Sequence, residues 1–309
     1  MKPGIGKKKT DWMPFLCIAP AFLAMTMVHF LPSLIGIFVS FLNFTSRALR
    51  DWTKADFAGF RNYINLFSID GISGTRFLQS VRASFIYTTG SLVSICVIGL
   101  WAATLLNHDG FMYRILRAVF LVSWIIPNVV TVYIWKSIFL SDSGPFNAIL
   151  VNLKIIGKPI YWLIGPKSII PPIVSNVWRS WPFAFITFLA GLQSISPDLY
   201  DAADVDGASG VQKFFHITLP SLFPITRVLI MLLMVWTALD FTTIYVMYGF
   251  APPSDANVVP VFVYNMGYQT WDFGQAASVS TLLMLFMLGV CIIYVRSFIR
   301  NDNNTGVRR

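Results

Sequence analysis

Apolar residues in this chain run together in long blocks rather than alternating with polar ones. Six blocks stand out: Met13 to Ser46, Ala83 to Asn107, Ile115 to Leu140, Ile169 to Ile195, Leu222 to Tyr248 and Phe273 to Val295. A bilayer core of roughly 30 Å takes about 20 apolar residues per helix, so each block predicts a membrane-spanning helix. The first carries no Asp, Glu, Lys or Arg and is longer than one straight crossing needs, with Pro20 and Pro32 expected to kink it or mark its ends. It is also too long for a cleaved signal peptide and is closed by no A-x-A-like site. Pro127 lies inside the third block. The expected class is an all-α integral membrane protein with six spans, which puts both termini on one side.

Composition agrees with this pattern. Hydrophobic residues make up 56% of the 309 and charged residues 12%, against about 45–50% and 25% in soluble domains. All fourteen acidic residues are aspartate, and the net charge is +9. Much of that surplus sits beside apolar blocks, where it reads as membrane orientation rather than as a nucleic-acid surface. Lys2, Lys7, Lys8 and Lys9, Arg114 and Arg117, Lys213, and Arg296, Arg300, Arg308 and Arg309 mark the cytoplasmic side. Arg47, Arg50, Lys54, Arg61 and Arg76, with Lys154, Lys158 and Lys167, pull the other way, so the bias is modest. Cys17, Cys96 and Cys291 lie inside apolar blocks with no metal or disulfide spacing. The expected layout is a cytoplasmic tail over 1–12, a transmembrane domain over 13–298 and a second cytoplasmic tail over 299–309.

One polar stretch interrupts the apolar blocks, the loop 196–220 between spans four and five. Ser196 fits an N-cap, Pro197 the first helical position and Asp198 the acidic first turn. At 100° per residue Asp198, Asp201 and Asp204 share one side of the predicted helix, while Leu199, Ala202, Ala203 and Asp206 share the other. The small residues at 202 and 203 would let another protein approach the backbone. Gly207 supplies a turn or helix C-cap, Phe214 and Phe215 offer apolar anchors, and Pro220 restarts a helix into span five. These features fit either a docking element for a cytoplasmic partner or a plain solvated connector.

"DAADVDGASGVQKFFHITLPSL", Asp201 to Leu222, resembles the cytoplasmic loop of permease subunits of binding-protein-dependent ABC importers, whose pattern is E-A-A, about three residues, D-G-A, then I-T-L-P. The likeness extends over most of the chain. "FAGFRNYINLF" (Phe57 to Phe67), "RAVFLVSWIIPNVVTVYIWKSIF" (Arg117 to Phe139) and the stretch Val177 to Ser209 are similar to carbohydrate-type permeases of the maltose and glycerol-phosphate kind. The resemblance implies an inner-membrane subunit in a bacterial or archaeal cell. Its implied partners are a second permease, two ATPase subunits that consume ATP and Mg²⁺, a solute-binding protein and membrane lipid. It also implies that Asp201, Ala202, Ala203 and Gly207 belong to a coupling helix seated on an ATPase, with Asp204, Asp206, Phe214 and Phe215 in the same loop. Asp201 stands where the family usually has glutamate, and "YGFAPPSDA" (Tyr248 to Ala256) where relatives often have T-x-G-G-P.

The chain has no phosphate loop of its own. Gly157-Lys158-Pro159 and Gly165-Pro166-Lys167-Ser168 lack the required spacing, and His29, His108 and His216 are scattered. It is therefore expected to bind no cofactor or metal and to be a transport component rather than an enzyme. Ionisable groups inside spans are costly and face cavities or snorkel to an interface. Arg179, between Trp178 and Trp181, fits either a sugar path, with ring faces stacking on sugars, or an interfacial belt. Asp240, near Thr243 and Tyr245, fits either the path or a helix–helix hydrogen bond. Asn128 fits either a cavity lining or a partner for backbone freed by Pro127. Arg227 and Lys136 are expected to snorkel at span ends. The alternatives are an ABC permease for a non-sugar solute, against which the Phe57 to Phe67 segment speaks, and an ion-driven secondary transporter, for which internal repeats would be expected.

Overall fold

The computed structural model describes residues 12–68 and 71–306. The lysine-rich tail 1–11 and the arginines 308 and 309, used above for orientation, lie outside the described residues. The chain begins with α1 (Met13–Met25), a π-helical turn (Thr26–Phe30) and α2 (Leu31–Val39). There follow α3 (Arg61–Phe67), α4 (Ile72–Leu105), α5 (Phe111–Phe120), α6 (Val122–Ile125), α7 (Asn128–Ile138) and α8 (Pro145–Asn152). The second half comprises α9 (Ile170–Gln193), α10 (Pro197–Val205), α11 (Gly210–Lys213), α12 (Leu219–Ala238), α13 (Thr242–Tyr248), α14 (Val259–Tyr268) and α15 (Phe273–Gly306). Among the described residues extended pairing is confined to two isolated bridges, Leu42 with Phe57 and Thr45 with Asp272.

Four stretches are long and apolar enough to cross a membrane: 15–39, 73–105, 210–248 and 273–297. A fifth is added if the pair 111–125 and 128–138, bent by 91°, forms one span. The bend follows from Pro127. The residue before a proline is pushed out of the helical region, and Ile126 (ψ 131°) and Pro127 (ψ 136°) are both extended. The expected third span is therefore two helices at nearly a right angle. The expected fourth span falls on α9, which at 24 residues is long enough but carries Asn176, Arg179 and Gln193 and is not among the stretches apolar enough to cross a membrane.

Other boundaries moved for local reasons. The first helix stays continuous past Pro20 and widens at Thr26–Phe30, where the Leu31 N–H reaches back to Thr26 O. Such a turn accommodates the missing N–H and the ring of Pro32. α15 continues as one helix from Phe273 to Gly306, beyond its apolar stretch 273–297. The helix leading into span five starts at Gly210 rather than Pro220 and passes a second π-helical turn, Phe214–Thr218, on its way into α12.

α9 is the hub, packed against α4, α12, α7, α6 and α13. Its Phe185, Phe188 and Leu192 are buried with Ile95 of α4, Leu106 at the C-cap of α4, and Leu229 and Leu233 of α12. The α4–α9 crossing depends on small residues: a Cβ at Gly99 would lie 2.6 Å from Ala184 Cβ, too close for anything but glycine. Small residues of this kind let helix backbones approach where lipid leaves no hydrophobic driving force between them. A second core joins α3, α4, α14 and α15 through Leu66, Phe77, Phe262 and Val279. By contrast the hydropathic centre of α1–α2 has no buried residue.

The segment between α7 and α9 folds around Asn147, which is buried. Its Nδ2 donates to Ser141 O (3.0 Å) and Ile160 O (2.9 Å), and its Oδ1 accepts from Ile160 N (3.2 Å) and Trp162 Nε1 (2.9 Å). Phe139, Phe146 and Trp162 enclose the network with rings 5.0–5.8 Å apart. Asn147→Leu would strand several buried polar groups at about 1–3 kcal/mol each. Limited proteolysis should then cleave the 141–165 segment much faster while the membrane helices remain intact. An unchanged cleavage rate would show that the network does not hold the segment.

Candidate functional site

The loop after α9 folds much as its sequence reads. Ser196 is extended (φ −61°, ψ 131°), Pro197 opens α10, and Asp198 lies in the first turn. The Ser196 hydroxyl donates to Asp198 Oδ2 (3.2 Å) and leaves the backbone uncapped. α10 ends at Gly207 with φ +74°, a left-handed conformation that favours glycine. Ala208 N then closes back on Ala203 O (2.9 Å).

Three features of this loop were not read from the sequence. Ser209 and Gln212 form a reciprocal capping box that starts α11; the S-x-x-Q spacing signals it. Lys213 Nζ donates to Asp204 Oδ1 at 2.7 Å, tying α11 to α10. The Tyr200 and Thr218 hydroxyls meet at 2.9 Å, and Tyr200, Lys213 and Thr218 wall a cavity of about 280 Å³ with Phe214. So braced, α10 presents its outer surface to solvent: Asp201, Ala202, Asp206 and Gly207 are exposed, while Ala203 is half-buried. Leu199, Val205, Val211 and Phe215 add exposed apolar groups around it. A rigid helix with an acidic and apolar outer face is a surface for protein contact.

The second constellation lies where two helices break. α7 starts at Asn128 after the Pro127 bend, and α13 starts after the interruption at 239–241. Asp240 sits in that interruption, and its Oδ1 accepts from Thr243 N (3.1 Å), serving the free N–H groups of α13. Its Oδ2 accepts from the Tyr87 hydroxyl of α4 at 2.7 Å. Asn128 Nδ2 donates to Thr243 Oγ1 at 3.3 Å. Asp240 thus makes a helix–helix hydrogen bond, and Asn128 spends its amide across helices. Irregular backbone at membrane depth is tolerated where protein buries it or where it lines a cavity.

Further polar groups line the helices that meet here. Ser91 Oγ of α4, Thr131 Oγ1 of α7, and Ser175 Oγ, Asn176 Nδ2 and Arg179 Nε of α9 are all buried with no hydrogen-bond partner. Buried polar groups are nearly always paired, so five such atoms on α9 and the two helices packed against it, α4 and α7, mark a seam suited to a polar solute. Tyr87, Ser91, Ser175 and Asn176 were missed in the sequence. Polar residues four apart inside an apolar block (Tyr87 and Ser91, or Ser175 and Arg179) are the signal that would have found them.

Tyr245, one turn into α13, stacks on Phe241 (4.7 Å between ring centroids) and meets Tyr264 edge-on (5.2 Å). Trp178 and Trp181, expected to flank Arg179 together, diverge. Trp178 packs on Trp135 of α7 (6.4 Å), and Trp181 on Phe120 of α5 (5.0 Å) and Phe185 (6.1 Å). They stand three positions apart on one helix, and their rings go into different neighbours.

The comparisons with known proteins point to one family. Residues 95–301 match the family described as "Binding-protein-dependent transport system inner membrane component". The inner membrane ABC transporter permease protein YcjO of Escherichia coli K12 is 28% identical over 295 residues, spanning 94% of this chain and 96% of that protein. The trehalose/maltose transport system permease protein MalF of Thermococcus litoralis is 34% identical over 241 residues, 78% of this chain and 79% of that protein. In structure the chain is similar to a chain of a bacterial ABC transporter involved in import of the acidic polysaccharide alginate. The TM-score there is 0.74 at 20% identity, covering 94% of this chain and 96% of that one. With a family match over well more than half its length, together with apolar spans and a nearly all-helical fold among the described residues, this chain belongs to the inner-membrane permease components of binding-protein-dependent ABC transporters.

Proposed function

We propose that the chain is one permease subunit of an ATP-driven importer that carries a carbohydrate across the cytoplasmic membrane by alternating access. It would pair with a second permease, two ATPase subunits that hydrolyse ATP with Mg²⁺, and a solute-binding protein that delivers the sugar. The carbohydrate class is supported by relatives named for trehalose/maltose, maltodextrin and galactooligosaccharide transport. In this reading α5–α7 is the third span and α9 the fourth, giving six spans with both ends cytoplasmic. The observation that carries the reading is the braced loop of α10 and α11. It lies between two long membrane helices and exposes Asp201 and Ala202 while Lys213–Asp204 and Tyr200–Thr218 fix its shape. ATPase movement would push on α10 and, through it, on α9 and α12, which flank the loop. The seam around Asp240, Thr243 and Asn128, with Tyr245 and Arg179, would be the path for the solute.

Topology gives the direct test. In a chain whose three cysteines have been replaced, a cysteine at Ser209 should resist a membrane-impermeant thiol reagent in intact cells and react in inverted vesicles. A cysteine at Ser254 should behave oppositely. Labelling of both from the same side would overturn the six-span arrangement.

A further inference from the structure

Four arginines that oppose the charge bias, Arg47, Arg50, Arg61 and Arg76, lie between the end of α2 and the second turn of α4. Among the described residues none of the four enters an ion pair, whereas Lys54 reaches Asp51 at 3.7 Å. The stretch 40–76 holds five cationic side chains against three aspartates, so its surface is net positive. These cations border an apolar face. In α3, Phe60 at the N-cap, Ile64 and Phe67 recur at helical spacing and are 57–69% exposed, while Asn62 and Leu66 on the opposite side are buried.

The buried side fixes where that face points. Asn62 Nδ2 donates to Ser40 O and Leu42 O, both at 2.9 Å, at the end of α2, and the Tyr63 and Ser40 hydroxyls meet at 2.6 Å. Leu66 is buried with Phe77 and Val279, which lie five and six residues inside α4 and α15, roughly 7–9 Å from the first residue of each. α3 therefore flanks the first turns of both helices instead of capping their ends, and its exposed face looks sideways, away from the bundle. The membrane-crossing stretches that it joins or touches, 15–39, 73–105 and 273–297, all end or begin here, at the level of the lipid headgroups. Trp52 and Trp271 stand at the same corner: Trp52 packs on Phe44 (5.1 Å), and Phe44 and Trp271 both pack on Phe273 (6.0 and 6.1 Å). Trp271 is 49% exposed and holds φ +56°, a left-handed conformation unfavourable to a large side chain. An exposed indole retained there fits the aromatic belt that membrane proteins place at the lipid–water boundary.

We propose that α3, Trp52 and Trp271 form an anchor lying in the headgroup layer, with Phe60, Ile64 and Phe67 in the acyl boundary and Arg47, Arg50 and Arg61 on anionic lipid headgroups. Helices with an apolar face and a basic rim bind such surfaces. The occupant is lipid because the face runs on from exposed Phe38 and the rest of α1–α2, whose hydropathic centre has no buried residue. The place at the membrane edge follows from the helices themselves. Only the choice of leaflet rests on the six-span reading, which labelling at Ser209 and Ser254 tests separately.

The experiment uses the complete purified importer with its native cysteines replaced and Ile64→Cys carrying a fluorophore, in vesicles of phosphatidylcholine and phosphatidylglycerol. A nitroxide on the upper acyl chain of either lipid quenches fluorophores in the boundary layer, and acrylamide quenches those in water. The nitroxide lipids should remove most of the emission and acrylamide little of it. Labelled phosphatidylglycerol should quench severalfold more than labelled phosphatidylcholine. That preference should vanish in Arg47→Gln/Arg50→Gln/Arg61→Gln and persist in the corresponding lysine variant, which keeps the charge and guards against misfolding as the cause. Dominant quenching by acrylamide would place the face in water, and quenching by neither reagent would place it under the second permease or the binding protein; either result overturns the proposal. Equal quenching by the two labelled lipids, or a preference unchanged in the glutamine variant, would overturn the role of the arginines.

Discussion

Asp201→Lys and Ala203→Trp are each expected to abolish uptake without disturbing membrane insertion or pairing with the second permease. Asp201 is exposed, and among the described residues it enters no ion pair, whereas Asp204 in the same loop is held by Lys213 at 2.7 Å. Reversing the charge at 201 therefore breaks nothing inside the chain. If the residue seats against a basic group of an ATPase, loss of a buried interfacial pair costs about 2–5 kcal/mol, or roughly 30-fold to several-thousand-fold in affinity. If the loop is merely solvated, the cost is about 0–1 kcal/mol. A tryptophan at 203 would stand between two helical surfaces where the native chain has only a methyl group. The variants should lose the ATPase subunits on purification, or lose the stimulation of ATP hydrolysis by loaded binding protein. Asp201→Glu, which restores the residue usual in the resembling family, should be tolerated. Wild-type uptake and stimulated hydrolysis in both disruptive variants would reduce the loop to a connector.

Lys213→Met probes the same loop from inside. It leaves the outer face untouched and removes the brace between α10 and α11. ATPase subunits should remain bound while stimulation by loaded binding protein falls, because the helix is still docked but no longer held to the base of α12. A variant with full stimulation would show that the capping box and the Tyr200–Thr218 contact suffice to hold it.

How far the sequence could be read depended on whether a feature is local. The start of α10 at Ser196–Pro197, though without a side-chain cap, the left-handed Gly207 and the helical content of five of the apolar blocks are set within a few residues, and each was legible. The right-angle bend at Pro127 is also local in origin, but a proline inside an apolar helix is compatible with a kink, a break or neither; Pro182 lies within an uninterrupted α9. The start of α4 at Ile72 was missed because Arg76 and Arg82 end the apolar run while the helix continues past it. The site residues divide in the same way. Asp240 and Asn128 stood out as polar exceptions, yet Tyr87 bonds Asp240 across 153 positions, and no spacing in the chain announces that pair. The two tryptophans beside Arg179 illustrate the converse, since neighbours in sequence were expected to act together and the helix sent their rings to different partners.

The Asp240 seam yields the second large effect, and a double variant decides what kind of residue Asp240 is. Asp240→Leu removes the acceptor for the buried Tyr87 hydroxyl, a loss of about 1–3 kcal/mol, and the side-chain cap on Thr243 N–H, about 0.5–2 kcal/mol. Uptake should fall to background. That result alone does not separate a solute contact from a brace between α4 and α13. Tyr87→Phe deletes the orphaned hydroxyl, and replacing both partners of a buried pair with apolar groups is often nearly neutral. In the Tyr87→Phe/Asp240→Leu chain the complex should assemble, and binding protein should again stimulate ATP hydrolysis, because packing between α4 and α13 no longer carries an unpaired group. Uptake should nevertheless stay at background if, as proposed, the carboxylate also meets the solute, because it is still missing. Asp240→Asn, whose Oδ1 can still accept from Thr243 N while its Nδ2 donates to the Tyr87 hydroxyl oxygen, removes the charge and should assemble normally and transport with altered selectivity among sugars. Recovery of wild-type uptake in the double variant would make Asp240 a structural brace and move the solute path to the unpartnered groups of α9, Ser175, Asn176 and Arg179.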